Sequence, residues 1–324
     1  VELVGLVKRY GAVTAVDGLD LEVPHGLFYG LLGPNGAGKT TTLHVLATLV
    51  QPDAGQARVA GHDAVTERAR VREAIGIVFQ EPSLDRELSA REHLDLQARL
   101  YHLPDRPRRV ADALERMGLA GDADRPVRGY SGGMRRRLEI ARGLLHRPRV
   151  LFLDEPTLGL DVAARAALWE DLRALHAEGE TTLFLTTHAM EEADALCQRV
   201  GIVDRGRVVA DGTPAALKAA LGGDVVILGL DGPEAERRAE RARQALARVD
   251  GVSRVAPGSV PGWIRVTVRD GPRRLPALLD AVRDLDVAEV ELHRPNLEHV
   301  FLHHTGHPFE PERLGLGMGG ASAP

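Results

Sequence analysis

Residues 33–40 read Gly-Pro-Asn-Gly-Ala-Gly-Lys-Thr, the pattern G-x-x-x-x-G-K-[ST], set between an apolar run at 27–32 and a helical pattern at 40–49. No other stretch limits the fold so strongly, because strand, glycine loop and helix in that order build a phosphate-binding turn at the end of a sheet strand. Backbone N–H groups and the positive end of the following helix surround phosphate oxygens only where no side chain intervenes. Lys39 is then placed to bridge the β- and γ-phosphates, and Thr40 to offer its hydroxyl to Mg²⁺. At this chain's glycine, lysine and hydroxyl-residue frequencies a chance match is expected only ~0.002 times, so an incidental glycine turn is set aside.

A phosphate loop implies a nucleotide but not its use. The run Val150-Leu151-Phe152-Leu153 ends abruptly in Asp154-Glu155. A buried strand would hold Asp154 rigidly beside the loop, where it can support Mg²⁺, and Glu155 could then act as general base or position a water. Such acids also serve as helix caps, and it is the upstream loop that favours the site. Thr186-Thr187-His188 closes the next apolar run. Ligands sit beyond the carboxyl ends of parallel strands, so His188 could meet the γ-phosphate beside Glu155, although a lone histidine is more often structural.

Tyr130-Ser131-Gly132-Gly133-Met134 opens a helical pattern at 134–145 and is followed by Arg135-Arg136-Arg137. Ser131 suits an N-cap and the glycines admit a second phosphate. One complete phosphate loop with two anion sites is explained by a two-fold dimer, each Ser131 helix facing the nucleotide on the other copy. The plainer alternative is an ordinary cap with the three arginines as a solvated basic face.

The sequence pattern predicts an α/β chain with a parallel sheet core, strand runs at 75–79, 150–153 and 181–186, and a hairpin at 200–203 and 207–210 across Arg205-Gly206. A helical subdomain is expected at about 81–147, its pattern at 89–117 interrupted by Pro104 and Pro107. Gly222-Gly223 is the best boundary, giving a domain at 1–222 and a smaller α+β domain at 223–305. The βαββαβ order of that second part points to a ferredoxin-like arrangement. The glycine- and proline-rich stretch 306–324 reads as a flexible tail.

Composition narrows the class. The formal charge is −5, which gives no sign of a general nucleic-acid binder. Cys197 is the one cysteine, so no internal disulfide forms, consistent with a reducing compartment. No apolar run approaches the roughly 18 to 20 residues needed to cross a bilayer, and no secretory pattern opens the sequence. The chain is therefore expected in the cytoplasm.

Taken in order and spacing, these motifs resemble the ATP-binding subunit of an ABC transporter over residues 1 to about 222. The resemblance implies ATP and Mg²⁺ as ligands, with Gly33 to Thr40 and Thr41 on the phosphates, Tyr10 stacked on adenine, and Thr40, Gln80 and Asp154 around the metal. It also implies Glu155 and His188 as catalytic residues, Gln80 as the link to a membrane subunit, Ser131 to Gly133 as the signature serving the other copy, and Asp161 in a loop crossing the dimer interface. The usual signature LSGGQ is altered here by Tyr130 and Met134. The form YSGGM-RRRLE and the run Pro295-Asn296-Leu297-Glu298-His299-Val300-Phe301-Leu302 are similar to the daunorubicin-resistance branch. A plain account of the second run is an amphipathic helix docking Leu297, Val300 and Phe301.

That branch implies a drug exporter whose partners are a second copy and an integral-membrane permease, with no nucleic acid, peripheral on the inner face of the membrane. Three alternatives stand beside it: lipid or polysaccharide export, a DNA or translation ATPase with a coiled-coil or zinc insertion or tandem cassettes, and a module whose C-terminal domain binds a regulatory ligand.

Overall fold

The computed structural model describes residues 1–230, 234–258, 260–307 and 309. Two compact units are present, one covering Val1–Thr213 and a second beginning at Pro214. In chain order the first contains β1 (Glu2–Tyr10), β2 (Val13–Glu22), β3 (Phe28–Leu32), α1 (Lys39–Leu46), β4 (Ala54–Val59), β5 (His62–Asp63), α2 (Arg68–Ala74) and β6 (Ile75–Val78). There follow α3 (Ala90–Leu100), α4 (Arg106–Arg116), α5 (Gly132–Leu144), β7 (Val150–Asp154), α6 (Val162–Ala177), β8 (Thr182–Thr187), α7 (Met190–Leu196), β9 (Arg199–Asp204) and β10 (Arg207–Gly212).

Six of these strands form one sheet in the order β10-β9-β3-β8-β7-β6, parallel except for the β9–β10 hairpin. Every residue of β3, β7 and β8 is buried, as expected of strands covered by helices on both faces. Their interiors are apolar, and polar residues appear only toward the strand ends, at Thr182, Thr186 and Thr187 of β8 and Asp154 of β7. Hence the turn after β3, the acids after β7 and the histidine after β8 emerge along one edge. The hairpin closes through Arg205 and Gly206, both with positive φ (48° and 79°), the geometry of a tight two-residue turn.

A second, antiparallel sheet in the order β2-β1-β4-β5 lies in the same unit, with Leu3, Leu6, Val16, Leu19, Ala57 and Val59 buried into a core shared with β3, α1 and β7. Strands β4 and β5 and helix α2 carry no expectation from the pattern above. The helical subdomain forms as expected: Ser89 and Glu92 build a reciprocal capping box at the start of α3. Pro104 falls in the break, whereas Pro107 sits in the first turn of α4, where no N–H is required. Among the described residues no helix is long and apolar enough to cross a membrane.

The second unit contains α8 (Pro214–Ala219), β11 (Asp224–Leu230), α9 (Ala235–Leu246), β12 (Val252–Pro257), β13 (Trp263–Val268), α10 (Gly271–Ala281), β14 (Val287–His293) and α11 (Leu297–Thr305). Its sheet order β12-β13-β11-β14, antiparallel throughout, is that of the ferredoxin-like βαββαβ unit. Inward residues Val226, Leu228, Ile264 and Val266 meet Ala242, Leu246 and Leu278 of the helices. Helix α8 packs against α11, so Gly222-Gly223 lies inside this unit, as the turn into β11. Asn296 caps α11 through a capping box with His299, and Leu297, Val300 and Phe301 are its buried face. Of the expected tail 306–324, residues 308 and 310–324 lie outside the described residues.

Candidate functional site

The turn after β3 has the shape its glycines require. A Cβ on Gly33 would stand 2.4 Å from the Val203 carbonyl oxygen. Gly38 has φ +104°, and a Cβ there would stand 2.4 Å from the Ala15 carbonyl oxygen. Gly38 is the N-cap of α1, and it offers no side chain to the first N–H groups of that helix. Pro34 is half-buried and Asn35 and Gly36 are exposed at the crest, with Ala37 buried beneath and Thr41 half-buried on α1. Gly33 and Gly38, where neighbouring backbone leaves no room for a Cβ, hold a turn that ends in a helix N-terminus without a side-chain cap, and such a turn fits a phosphate chain.

Lys39 is buried, its Nζ donating to the carbonyls of Gly33 (2.8 Å) and Pro34 (3.0 Å) and lying 3.5 Å from Glu155 Oε1. Burial lowers the pKa of its ammonium, with the Glu155 charge opposing that shift. Thr40 Oγ1 donates to Asp154 Oδ1 at 3.2 Å. Asp154 also accepts a short hydrogen bond from Thr186 Oγ1 and is 1% exposed. A hydroxyl and a carboxylate side by side are hard oxygen donors suited to Mg²⁺, which takes one or two protein oxygens and completes its shell with substrate phosphate and water. No group of three or more His, Cys, Asp or Glu arranged to hold a metal occurs among the described residues.

Glu155 has φ +45°, a left-handed conformation that costs a non-glycine residue of order 1–3 kcal/mol. Its N–H is held by Thr186 twice, by the carbonyl at 3.0 Å and Oγ1 at 3.2 Å. This bend turns its carboxylate toward Lys39 on one side and His188 on the other, with His188 Nδ1 3.0 Å from Oε2. Burial pushes the Glu155 carboxyl up, yet the hydrogen bond and charge of His188 together with Lys39 outweigh it and hold the pKa below the ordinary value. The bond to Glu155 raises the His188 pKa against the opposing effect of burial. Lys39, Thr40, Asp154, Glu155 and His188 are thus brought together, as their motifs led one to expect.

The remaining candidates lie around this cluster. Tyr10, 48% exposed, ends β1 with Lys8 Nζ 5.4 Å from its ring centroid; it pairs with β2, the strand whose Ala15 meets Gly38. Gln80 follows β6 with its side chain exposed and its carbonyl accepting from Arg136. Ser131 caps α5, accepting the Met134 N–H, and a Cβ on Gly132 or Gly133 would meet Leu160 or Ala164 at 3.3 Å. Asp161 caps α6 by accepting from Ala164 N–H at 2.8 Å. Among the described residues no hydrogen bond or ion pair joins Ser131, Gly132 or Gly133 to the phosphate-loop cluster.

Two residues escaped the sequence reading. Thr186, within the Thr-Thr-His run, carries both carboxylate-bearing positions. The arginine triplet is not a solvated face: Arg135 donates to the Tyr130 carbonyl, Arg137 pairs with Asp171 at 2.6 Å, and Arg136 is buried to 4% exposure. Arg136 is buried at helical spacing with Glu139, Ile140 and Gly143, a face whose two charges hide it from a search for apolar periodicity. Tyr130 is buried as well, its hydroxyl donating to the Asp122 carbonyl at 2.7 Å, so it replaces the usual leucine without opening the subdomain.

Comparison with known proteins converges on one group. The profile of the ABC transporter family matches residues 16–158. Daunorubicin resistance ATP-binding protein DrrA3 of Streptomyces coeruleorubidus is 45% identical over 306 residues, 93% of this chain and 94% of its own length. Daunorubicin/doxorubicin resistance ATP-binding protein DrrA of Streptomyces peucetius is 44% identical over 311 residues, 95% of this chain and 93% of its own. The dimeric structure of a post-hydrolysis state of the ATP-binding cassette MJ0796 bound to ADP and Pi superposes with a TM-score of 0.59 at 26% identity, covering 65% of this chain and 97% of that one.

Proposed function

This chain belongs to the ABC transporter family, among its drug-resistance ATP-binding subunits, and from that premise we propose that it hydrolyses ATP to drive efflux of an amphiphilic drug through a separate membrane subunit. ABC subunits of this kind bind ATP and work as dimers with membrane partners. Support for the catalytic assignment comes chiefly from one juxtaposition: Glu155 stands between Lys39 at 3.5 Å and His188 at 3.0 Å, at the strand ends that carry the phosphate loop.

The roles follow from the chemistry of the side chains. The Gly33–Thr40 cradle and Thr41 bind the phosphate chain, and Lys39 neutralises the β- and γ-phosphates. Thr40 and Asp154, with Gln80, would hold Mg²⁺, which would supply charge stabilisation on the phosphoryl oxygens. Glu155, ionised because His188 and Lys39 favour its charged form, accepts the proton of the attacking water as the bond to the γ-phosphorus forms and the bond to ADP breaks. His188 orients that carboxylate and faces the γ-phosphate. Tyr10 offers an aromatic face to adenine.

Ser131, Gly132 and Gly133 serve the nucleotide of a second copy, and Asp161 lies at the junction between copies. Closure on ATP moves the Gln80 loop and helical subdomain, shifting the membrane partner between states. The helices of the subdomain, α3, α4 and α5, are 11 to 13 residues long, too short for a coiled-coil insertion, which favours transport over the DNA-maintenance alternative.

The test is Glu155→Gln. With saturating MgATP the variant is expected to retain nucleotide and sediment as a dimer, with kcat lowered by about 10²–10⁴, the range for losing a general base. A variant that stays monomeric, or turns over at the parental rate, refutes the proposed site.

A further inference from the structure

A guanidinium taken out of water must satisfy five fixed N–H donors. Arg136 of α5 does so completely. Nε donates to the Pro156 carbonyl (2.7 Å), Nη1 to the Phe79 carbonyl (2.6 Å) and Glu139 Oε2 (3.0 Å), and Nη2 to the Gln80 (3.2 Å) and Glu155 (3.4 Å) carbonyls. Four of the five acceptors are main-chain oxygens from two loops, the one after β6 and the one after β7. Glu139 extends the same network, its Oε1 accepting the Ser83 N–H at 2.9 Å. The loop at 79–83 is thereby tied to the peptide that carries Glu155, and both are tied to the helix that begins at the signature.

We propose that Arg136 is a positioning residue that couples the Gln80 loop and the signature helix to the backbone of Glu155. Glu155 sits in a strained left-handed conformation, and Arg136 holds the carbonyl of that residue and of the next, Pro156. A displacement of residues 79–83 or of α5 therefore changes the aim of the Glu155 carboxylate while leaving the phosphate cradle, on a different strand, in place. This rests on the ATPase assignment made above. Lysine cannot substitute, because its three donors share one nitrogen and cannot span acceptors on two loops.

The experiment compares Arg136→Lys and Arg136→Met with the parent as full chains, measuring steady-state MgATP hydrolysis, thermal unfolding and amide hydrogen exchange. Both variants are expected to lose at least tenfold in kcat with KM within about threefold, and Arg136→Lys in a Glu155→Gln background is expected still to dimerise on ATP. Exchange should rise together at Gln80–Ser83 and Glu155–Leu158. Parental kcat in Arg136→Lys overturns the coupling, as does faster exchange in only one of the two loops. Unfolding of both variants, or equal losses in KM, kcat and dimerisation, assigns Arg136 to folding alone and overturns it too. The parent's turnover and the Glu155→Gln dimer serve as controls: their failure removes the ATPase assignment, whereas sound controls with an unaffected Arg136→Lys remove only the coupling.

Discussion

Thr186→Val isolates what one buried hydroxyl contributes to the site. Thr186 is fully buried; its Oγ1 donates to Asp154 and accepts from the Glu155 N–H. Valine has nearly the same volume, so no cavity opens, and Glu155 N–H keeps its bond to the Thr186 carbonyl. The loss is the hydrogen bond to a buried carboxylate, about 1.5–3 kcal/mol when one partner is charged. At roughly 2–4 °C per kcal/mol for a unit of this size, the melting temperature should fall by about 3–12 °C.

Thr186→Ser is the control. It keeps the hydroxyl and loses one buried methyl, costing about 1 kcal/mol. Thermal unfolding followed by circular dichroism should therefore rank parent, Ser, Val. Hydrolysis should separate the two variants further, with Ser near the parental kcat and Val about tenfold lower, equivalent to about 1.4 kcal/mol of transition-state stabilisation. A valine variant as stable as the serine variant and fully active would refute the view that this hydroxyl sets the two carboxylates.

The parts of the site legible in the sequence share a physical cause. Strands β3, β7 and β8 are buried at every position, so each centres on an apolar run (Leu183-Phe184-Leu185 in β8), and the residues that follow it are conspicuous: Gly33 and its loop, Asp154-Glu155, and Thr186-Thr187-His188. Strand β4 gives no such signal, since within Ala54–Val59 only Ala57 and Val59 turn inward. Helix α2 buries Val71 alone, too little for a periodic pattern. Arg136 was hidden for a different reason. On α5 the buried set Arg136, Glu139, Ile140 and Gly143 has i, i+3, i+4, i+7 spacing, but two of its four members are charged, and a search for apolar periodicity passes over them. Burial of those charges depends on carbonyls from two loops far away in sequence, and helical spacing alone does not reveal these acceptors. The site's strand ends are local information; its internal bracing is tertiary.

Two further outcomes test the cradle and the catalytic pair. Gly38→Ala places a Cβ against the Ala15 carbonyl and strains φ at +104°, so a titration with a fluorescent ATP analogue should show at least a tenfold loss of affinity; unchanged affinity would count against the backbone cradle. The Glu155–His188 pair predicts a window of pH. The raised His188 pKa means its stabilisation is complete below the ordinary histidine value of 6.5 and is lost as pH rises through the higher folded value. The lowered Glu155 pKa means its stabilisation is present above the ordinary value of 4.5 and is lost as pH falls through the lower folded value. Both are in force between about pH 4.5 and 6.5. The difference in melting temperature between parent and His188→Ala should therefore be largest in that interval and shrink toward pH 8. In the same variant, burial of Glu155 acts with one counter-charge fewer, so the acidic limb of kcat/KM should move to higher pH. An acidic limb left where the parent has it would mean that His188 does not govern the ionisation of Glu155, and the proton acceptor would have to be sought elsewhere in the site.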